Sequence, residues 1–178
     1  RLELEASAAA SASRLGPLKQ PTSPASTERK VHELPEGKKT KAFLGVDIGS
    51  ISTKAAVITE DGKVVARRYF WTAGRPLEAI QRAMGEMGKE IGDKVEIAGV
   101  GTTGSGRYLV GDFIGADFIR NEITAQATAA IAIDPEVDTV IEIGGQDSKF
   151  IVIKDGTVVD FEMNKVCAAG TGSFLNEQ

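Results

Sequence analysis

The chain has one cysteine, one histidine and one tryptophan in 178 residues, and aromatics make up only 6% of it. A single cysteine, Cys167, excludes an internal disulfide and fits a reducing compartment, so a cytoplasmic location is expected. The lone His32 lies in a polar stretch, where a solvated residue is expected rather than a metal ligand. No apolar run approaches the roughly 18 residues that span a bilayer, and the N-terminus lacks a basic-then-apolar secretory pattern. Charge of one sign barely dominates. A net charge of -4 argues against general binding to nucleic acid or an anionic membrane, which needs a basic excess, but leaves room for a small phosphate pocket. The chain opens on arginine and closes on Gln178, inside an expected helix, so both ends are expected to be cuts in a longer protein.

With 42% hydrophobic content, the length suits one medium domain or two small ones. Residues 1–41 stand apart: "ASAAASASRLGPLKQPTSPASTERK" is Ala, Ser, Pro and Thr without large apolar periodicity, a composition expected to form a linker or disordered lead-in. From Ala42 onward, "AFLGVDI", "TKAAVIT" and "KVVARRYFW" read as three strands joined by short turns, a β-meander. "RPLEAIQRAMGEMGKEIG" places Leu77, Ile80, Met84, Met87 and Ile91 on one helical face, with Pro76 in the first turn. "VEIAGVG" reads as a fourth strand entering a helix near Ser105 to Val110, and "NEITAQATAAIAI" as an Ala-rich helix. "DTVIEIGG", "SKFIVIK" and "TVVDFEM" are three further strands, the last two joined through Asp155-Gly156. Three strands, helices and three strands again suggest a first domain over 42–134 and the start of a second that copies it over 135–178.

Four motifs could carry chemistry. In "DIGSISTK" a turn of Gly, Ser and Thr offers backbone N–H groups and hydroxyls to phosphate oxygens, Gly49 permits close approach, and Lys54 adds a point charge. Asp47 would repel a bare phosphate, so a functional role for it requires a bridging Mg²⁺, usually through water. The alternative is a hairpin whose polar residues satisfy only their own backbone. "IEIGGQDSK" repeats the plan, and its Gln146 could orient a water for attack on a phosphoryl group without acting as a strong base; the alternative is a Gly-Gly turn with a surface Gln. Two such hairpins facing each other could hold a phosphate tail between two lobes. "IAGVGTTGSGRYL" matches G-x-G-x-x-G at Gly99, Gly101 and Gly104, as a dinucleotide-binding turn would. Its context is wrong for that fold, because a meander precedes it and no second strand ends in an acid about 20 residues on. A tight strand-to-helix turn near a ligand is the better reading. Finally, "NKVCAAGTGSFL" puts Cys167 before an expected helix near Thr171, whose dipole could steady a thiolate or an anionic cluster. A small buried hydrophobe is the alternative. One thiolate cannot hold a cluster that needs four.

Together, "GVDIGSISTK", "GTTGSGRYL", "NEITAQA", "IEIGGQDSK" and "CAAGTGSFL", in this order from Phe43 to about Leu175, resemble the ATP-dependent activators of 2-hydroxyacyl-CoA dehydratases and the related BadF/BadG/BcrA/BcrD-type ATPases. The resemblance implies an α/β, ribonuclease-H-like fold of the actin, Hsp70 and sugar-kinase superfamily, here with a complete first domain and a truncated second. It implies a homodimer sharing one [4Fe-4S] cluster, in which ATP hydrolysis drives a low-potential electron to a 2-hydroxyacyl-CoA dehydratase or benzoyl-CoA reductase. By motif, Asp47 would organise Mg²⁺, and Gly49, Ser50, Ser52, Thr53 and Lys54 would form the first phosphate loop. Gly144, Gly145 and Gln146 would form the second, with Gln146 near the attacking water, and Cys167 would be one cluster ligand. Gln126 and Ser173 depart from the His and Arg that family members often carry there, and the second cluster Cys and the adenosine segment lie downstream in the family. The chain alone is therefore expected to be inactive. Two rivals stay open: a small-molecule kinase of the same superfamily, and a noncatalytic scaffold that keeps the nucleotide fold.

Overall fold

Alternation along β1 (Thr40–Ile48) buries Ala42, Leu44, Val46 and Ile48 on one side and leaves Phe43, Gly45 and Asp47 on the other. Short turns return the chain through β2 (Ser52–Thr59) and β3 (Val64–Trp71), giving the expected antiparallel meander. The structure is a computed structural model and describes residues 31–167 and 169–173. The expected lead-in falls mostly outside the described residues. Where it is described, it joins the domain: the His32 N–H donates to the Val64 carbonyl, Leu34 packs on the core, and β1 begins at Thr40.

Helix α1 (Pro76–Ile91) starts with proline at its first turn and buries Ala79, Ile80, Ala83, Met87 and Ile91 against β2 and β3. Each large apolar side chain buried there contributes roughly 1.5–3 kcal/mol. Met84, expected on this face, is 39% exposed. The stripe is centred toward Ala79 and Ala83, so the small alanines meet the sheet and Met84 falls at its edge. Strand β4 (Val95–Thr103) then runs parallel to β1, and helix α2 (Arg107–Ile114) contributes Val110 to the same core. This helix begins two residues later than expected. The pattern reading also missed β5 (Phe118–Ile119), whose two residues are too few to show a period. The five strands form one mixed sheet in the order β3-β2-β1-β4-β5.

Helix α3 (Glu122–Ile133) is capped by Asn121, whose side-chain oxygen accepts from the Thr124 N–H at 2.8 Å. It packs over a second antiparallel sheet, β6 (Thr139–Ile143), β7 (Ser148–Lys154) and β8 (Thr157–Met163), and encloses a separate core around Ala127, Ile151 and Ile153. Asp155 and Gly156 both have positive φ, as a two-residue hairpin requires. The second sheet thus repeats the first three strands of the first. No helix among the described residues is long and apolar enough to cross a membrane.

Candidate functional site

The two meanders turn in the same way at their first bend. In the first, the Gly49 N–H donates to the Ser52 carbonyl at 2.9 Å; in the second, the Gly144 N–H donates to the Asp147 carbonyl at 2.8 Å. Each bend is followed by the same cross-strand couple. Lys54 Nζ lies 2.8 Å from Asp47 Oδ2, and Lys149 Nζ lies 2.9 Å from Glu142 Oε2. Each acid faces its lysine in strand register, seven residues apart. The N–H groups of Ser50, Ile51, Gly145 and Gln146, at the tips of the bends, donate to no backbone carbonyl among the described residues.

These tips meet. The Ser50 hydroxyl donates to Gln146 Oε1 at 3.0 Å. Gly145 passes so close to Ile51 that a Cβ there would lie 2.6 Å from Ile51 Cγ1, so only glycine permits the approach. Between the bends lies a cavity of about 250 Å³. Of the first expected loop, Gly49, Ser50, Ser52 and Lys54 line it together with Asp47; of the second, Gly144, Gly145 and Gln146 do.

Thr53 does not line it. Its side chain is fully buried and donates to Thr72 Oγ1 at 2.9 Å, while Thr72 donates to the Gly49 carbonyl at 2.7 Å. Thr53 and Thr72 therefore brace the first bend from behind. Cys167 is exposed and does not line the cavity; its exposure removes the reading of it as a buried hydrophobe. Its loop is tied to the second hairpin, since Asn164 bonds both the Ser148 N–H and the Gln146 carbonyl, and the Gly172 and Ser173 N–H groups donate to Gly144 and Gly145.

The glycine-rich turn supplies a third wall. Gly104 has φ +93°, and a Cβ on it would lie 2.3 Å from the Ile48 carbonyl oxygen. That contact presses the β4–α2 turn onto the end of β1 and carries Thr103 and Ser105 to the cavity. The glycines here serve packing at a ligand-sized cleft, in a sheet led by a meander rather than a dinucleotide fold. Helix α3 closes the last side with Glu122, Ala125, Gln126 and Ala129. Arg107, at the start of α2, reaches Glu122 at 3.4 Å and so links the two helix starts.

Motif reading gave no site role to several wall residues: Thr103, Glu122, Glu142, Asp147 and Lys149, the last noted only as part of the repeated plan. A signal existed for Glu142 and Lys149, because their spacing repeats that of Asp47 and Lys54. Glu122 had none, since only the packing of α3 brings it to the cleft.

Comparison with known proteins agrees with this architecture. Residues 44–177 match the model of the BadF/BadG/BcrA/BcrD ATPase family. The (R)-2-hydroxyglutaryl-CoA dehydratase activating ATPase of Acidaminococcus fermentans is 38% identical over 134 residues, which cover 75% of this chain and 50% of that protein. The crystal structure of that dehydratase's component A superposes with a TM-score of 0.64 at 32% identity, over 77% of this chain and 52% of the other. The activator of 2-hydroxyisocaproyl-CoA dehydratase from Clostridium difficile, with ADPNP bound, superposes with a TM-score of 0.63 at 32% identity, over 76% and 50%. The chain thus spans about half the length of these relatives. The fold is the α/β, ribonuclease-H-like fold of the actin, Hsp70 and sugar-kinase superfamily. With its two matched hairpins inside the matched region, the chain belongs to the BadF/BadG/BcrA/BcrD ATPase family.

Proposed function

We propose that this chain is the phosphate-gripping part of an ATP-hydrolysing activator whose partner is a 2-hydroxyacyl-CoA dehydratase or a related CoA-thioester reductase. The observation that carries the reading is the convergence of two equivalent bends on one cleft, with Ser50 bonded to Gln146 across it. A cleft of about 250 Å³ is smaller than the roughly 300–1,000 Å³ of sites that enclose a drug-sized ligand. It suits a phosphate tail, with the nucleoside outside. Amides at Ser50, Ile51, Gly145 and Gln146 would hold phosphate oxygens, and Gln146 would orient the attacking water.

The lining fits a magnesium ion. Four carboxylates (Asp47, Glu122, Glu142 and Asp147) outnumber the two lysines, so an uncompensated polyphosphate would be repelled. Beside Asp47 in strand register, Thr103 Oγ1 is buried without a hydrogen-bond partner among the described residues. Among the described residues no three acidic, His or Cys side chains gather closely enough to chelate a metal. Magnesium commonly keeps several waters and touches only one or two protein oxygens. Asp47 is the residue that would hold it, and bound there it would neutralise charge on the phosphates.

The iron-sulfur cluster is a different case. Cys167 supplies one thiolate, and a cluster needs four ligands. Paired chains would supply two, so the described residues do not complete the site. Electron transfer to the partner remains part of the proposal for the parent protein, as does its homodimer.

The test is isothermal titration calorimetry of a nonhydrolysable ATP analogue with and without Mg²⁺. Magnesium-dependent binding that Asp47→Ala weakens at least about tenfold supports the reading. No binding by the wild-type chain, or binding indifferent to both magnesium and Asp47→Ala, overturns it in favour of a scaffold.

A further inference from the structure

Lys149 is the buried charged group that the motifs leave without a task. Its side chain is 7% exposed and lines the cleft, with Glu142 as its ion-pair partner at 2.9 Å. Burying an ammonium–carboxylate pair is costly, and an apolar pair of the same shape often serves stability equally well. The position therefore calls for a reason beyond packing. A reason is visible in the other hairpin, where Lys54 and Asp47 form the same couple at the same spacing on the wall that hairpin supplies.

We infer that Lys149 is a second phosphate-binding cation of this site, held by Glu142 until a nucleotide's phosphates take its place. The inference rests on the nucleotide reading above and extends it to a residue that reading does not use. An ammonium group has three donors, so Lys149 can meet phosphate oxygens as its bond to Glu142 is shared or released. The two lysines differ in environment. Lys54 is 48% exposed and sits in solvent that screens its charge, whereas Lys149 is 7% exposed and acts through a medium of lower effective dielectric. The larger and less salt-sensitive share of phosphate attraction thus falls to Lys149. Glu142 competes with the ligand for the same ammonium, so its negative charge opposes binding.

The experiment is calorimetric titration of the chain with a nonhydrolysable ATP analogue and Mg²⁺ at low and high salt. The variants are Lys149→Met, Lys54→Met and Glu142→Gln, each checked for native thermal unfolding. Lys149→Met is expected to weaken binding about ten- to hundredfold, the range for one lost charge-assisted hydrogen bond. That loss persists at high salt, whereas the smaller loss from Lys54→Met shrinks. Glu142→Gln, which keeps the shape and removes the competing charge, is expected to tighten binding. A purely structural couple predicts the opposite for Glu142→Gln, namely unchanged or weaker binding. Wild-type binding with Lys149→Met equally tight, or unchanged or weaker binding by Glu142→Gln, overturns the inference and leaves the nucleotide reading intact. Should Lys149→Met fail to fold, the sign of the Glu142→Gln effect still decides. Absence of wild-type binding defeats the nucleotide reading itself, and this inference with it.

Discussion

The Ser50 hydroxyl donates to Gln146 Oε1 at 3.0 Å, joining two bends that lie 96 residues apart in the chain. The bond uses one of the two lone pairs of the amide oxygen, leaving the other for a water, and it restrains the orientation of the Gln146 side chain. One exposed neutral hydrogen bond contributes only about 0.5–1.5 kcal/mol, so its effect is local. Ser50→Ala is expected to leave the unfolding midpoint nearly unchanged while freeing the Gln146 side chain. NMR relaxation of the Gln146 side-chain amide reads this directly, and an unaltered order parameter would show that Ser50 does not restrain it.

Gly145 tests the contact between the hairpins. An added methyl would lie 2.6 Å from Ile51 Cγ1 and 2.9 Å from Ile51 Cβ. Gly145→Ala is expected to cost about 1–3 kcal/mol through overpacking. Adding Ile51→Ala should recover part of that cost, because it removes the atoms in the way. A double-mutant cycle from denaturant unfolding measures the coupling, and strict additivity would mean that the bends do not touch.

Gly104 combines two demands, a φ of +93° and a would-be Cβ 2.3 Å from the Ile48 carbonyl oxygen. Gly62 shares only the first, with φ +77° and open space around it. Gly62→Ala should cost about 1 kcal/mol in backbone strain alone. Gly104→Ala should cost about 2–4 kcal/mol, since backbone overlap is added to strain. Chemical denaturation of the two variants side by side checks the order, and equal losses would deny the close approach of the β4–α2 turn to β1.

Acid stability should carry the mark of the β2–β3 turn. The Lys63 ammonium and the Thr59 hydroxyl hydrogen-bond the Asp61 carboxyl and hold it down to about 2, from an ordinary 3.8. A lowered folded-state value means that the charged form is the stabilised one. Its contribution is complete above about pH 4 and fades as the pH falls toward 2. Asp61→Asn should flatten stability against pH across that window without changing nucleotide affinity, because Asp61 does not line the cleft. Acid titration followed by circular dichroism makes the comparison.

Much of this fold could be read directly along the chain. Alternation in "TKAFLGVDI" and "SKFIVIK" marks half-buried strands because a strand's side chains face opposite ways in turn. Asp155-Gly156 marks a hairpin because both residues tolerate positive φ. The two glycine bends were legible for a similar reason, since backbone exposure at a turn depends on small residues close in sequence. Met84 and β5 were not legible: the first depends on how α1 is rolled on the sheet, the second on pairing with β4.

Sequence by itself determined the local devices: the bends at Gly49 and Gly144, the cap at Asn121, and the matching acid–lysine spacings. Only the tertiary structure decided which of them act together. It brought Ser50 to Gln146, turned Thr53 inward to brace Gly49 through Thr72, set Glu122 on the cleft wall and buried Lys149 beside Glu142. The physical reason is range. Turn and strand preferences arise from atoms a few bonds apart, whereas cleft geometry, desolvation and charge pairing arise from surfaces that meet only once both cores have packed.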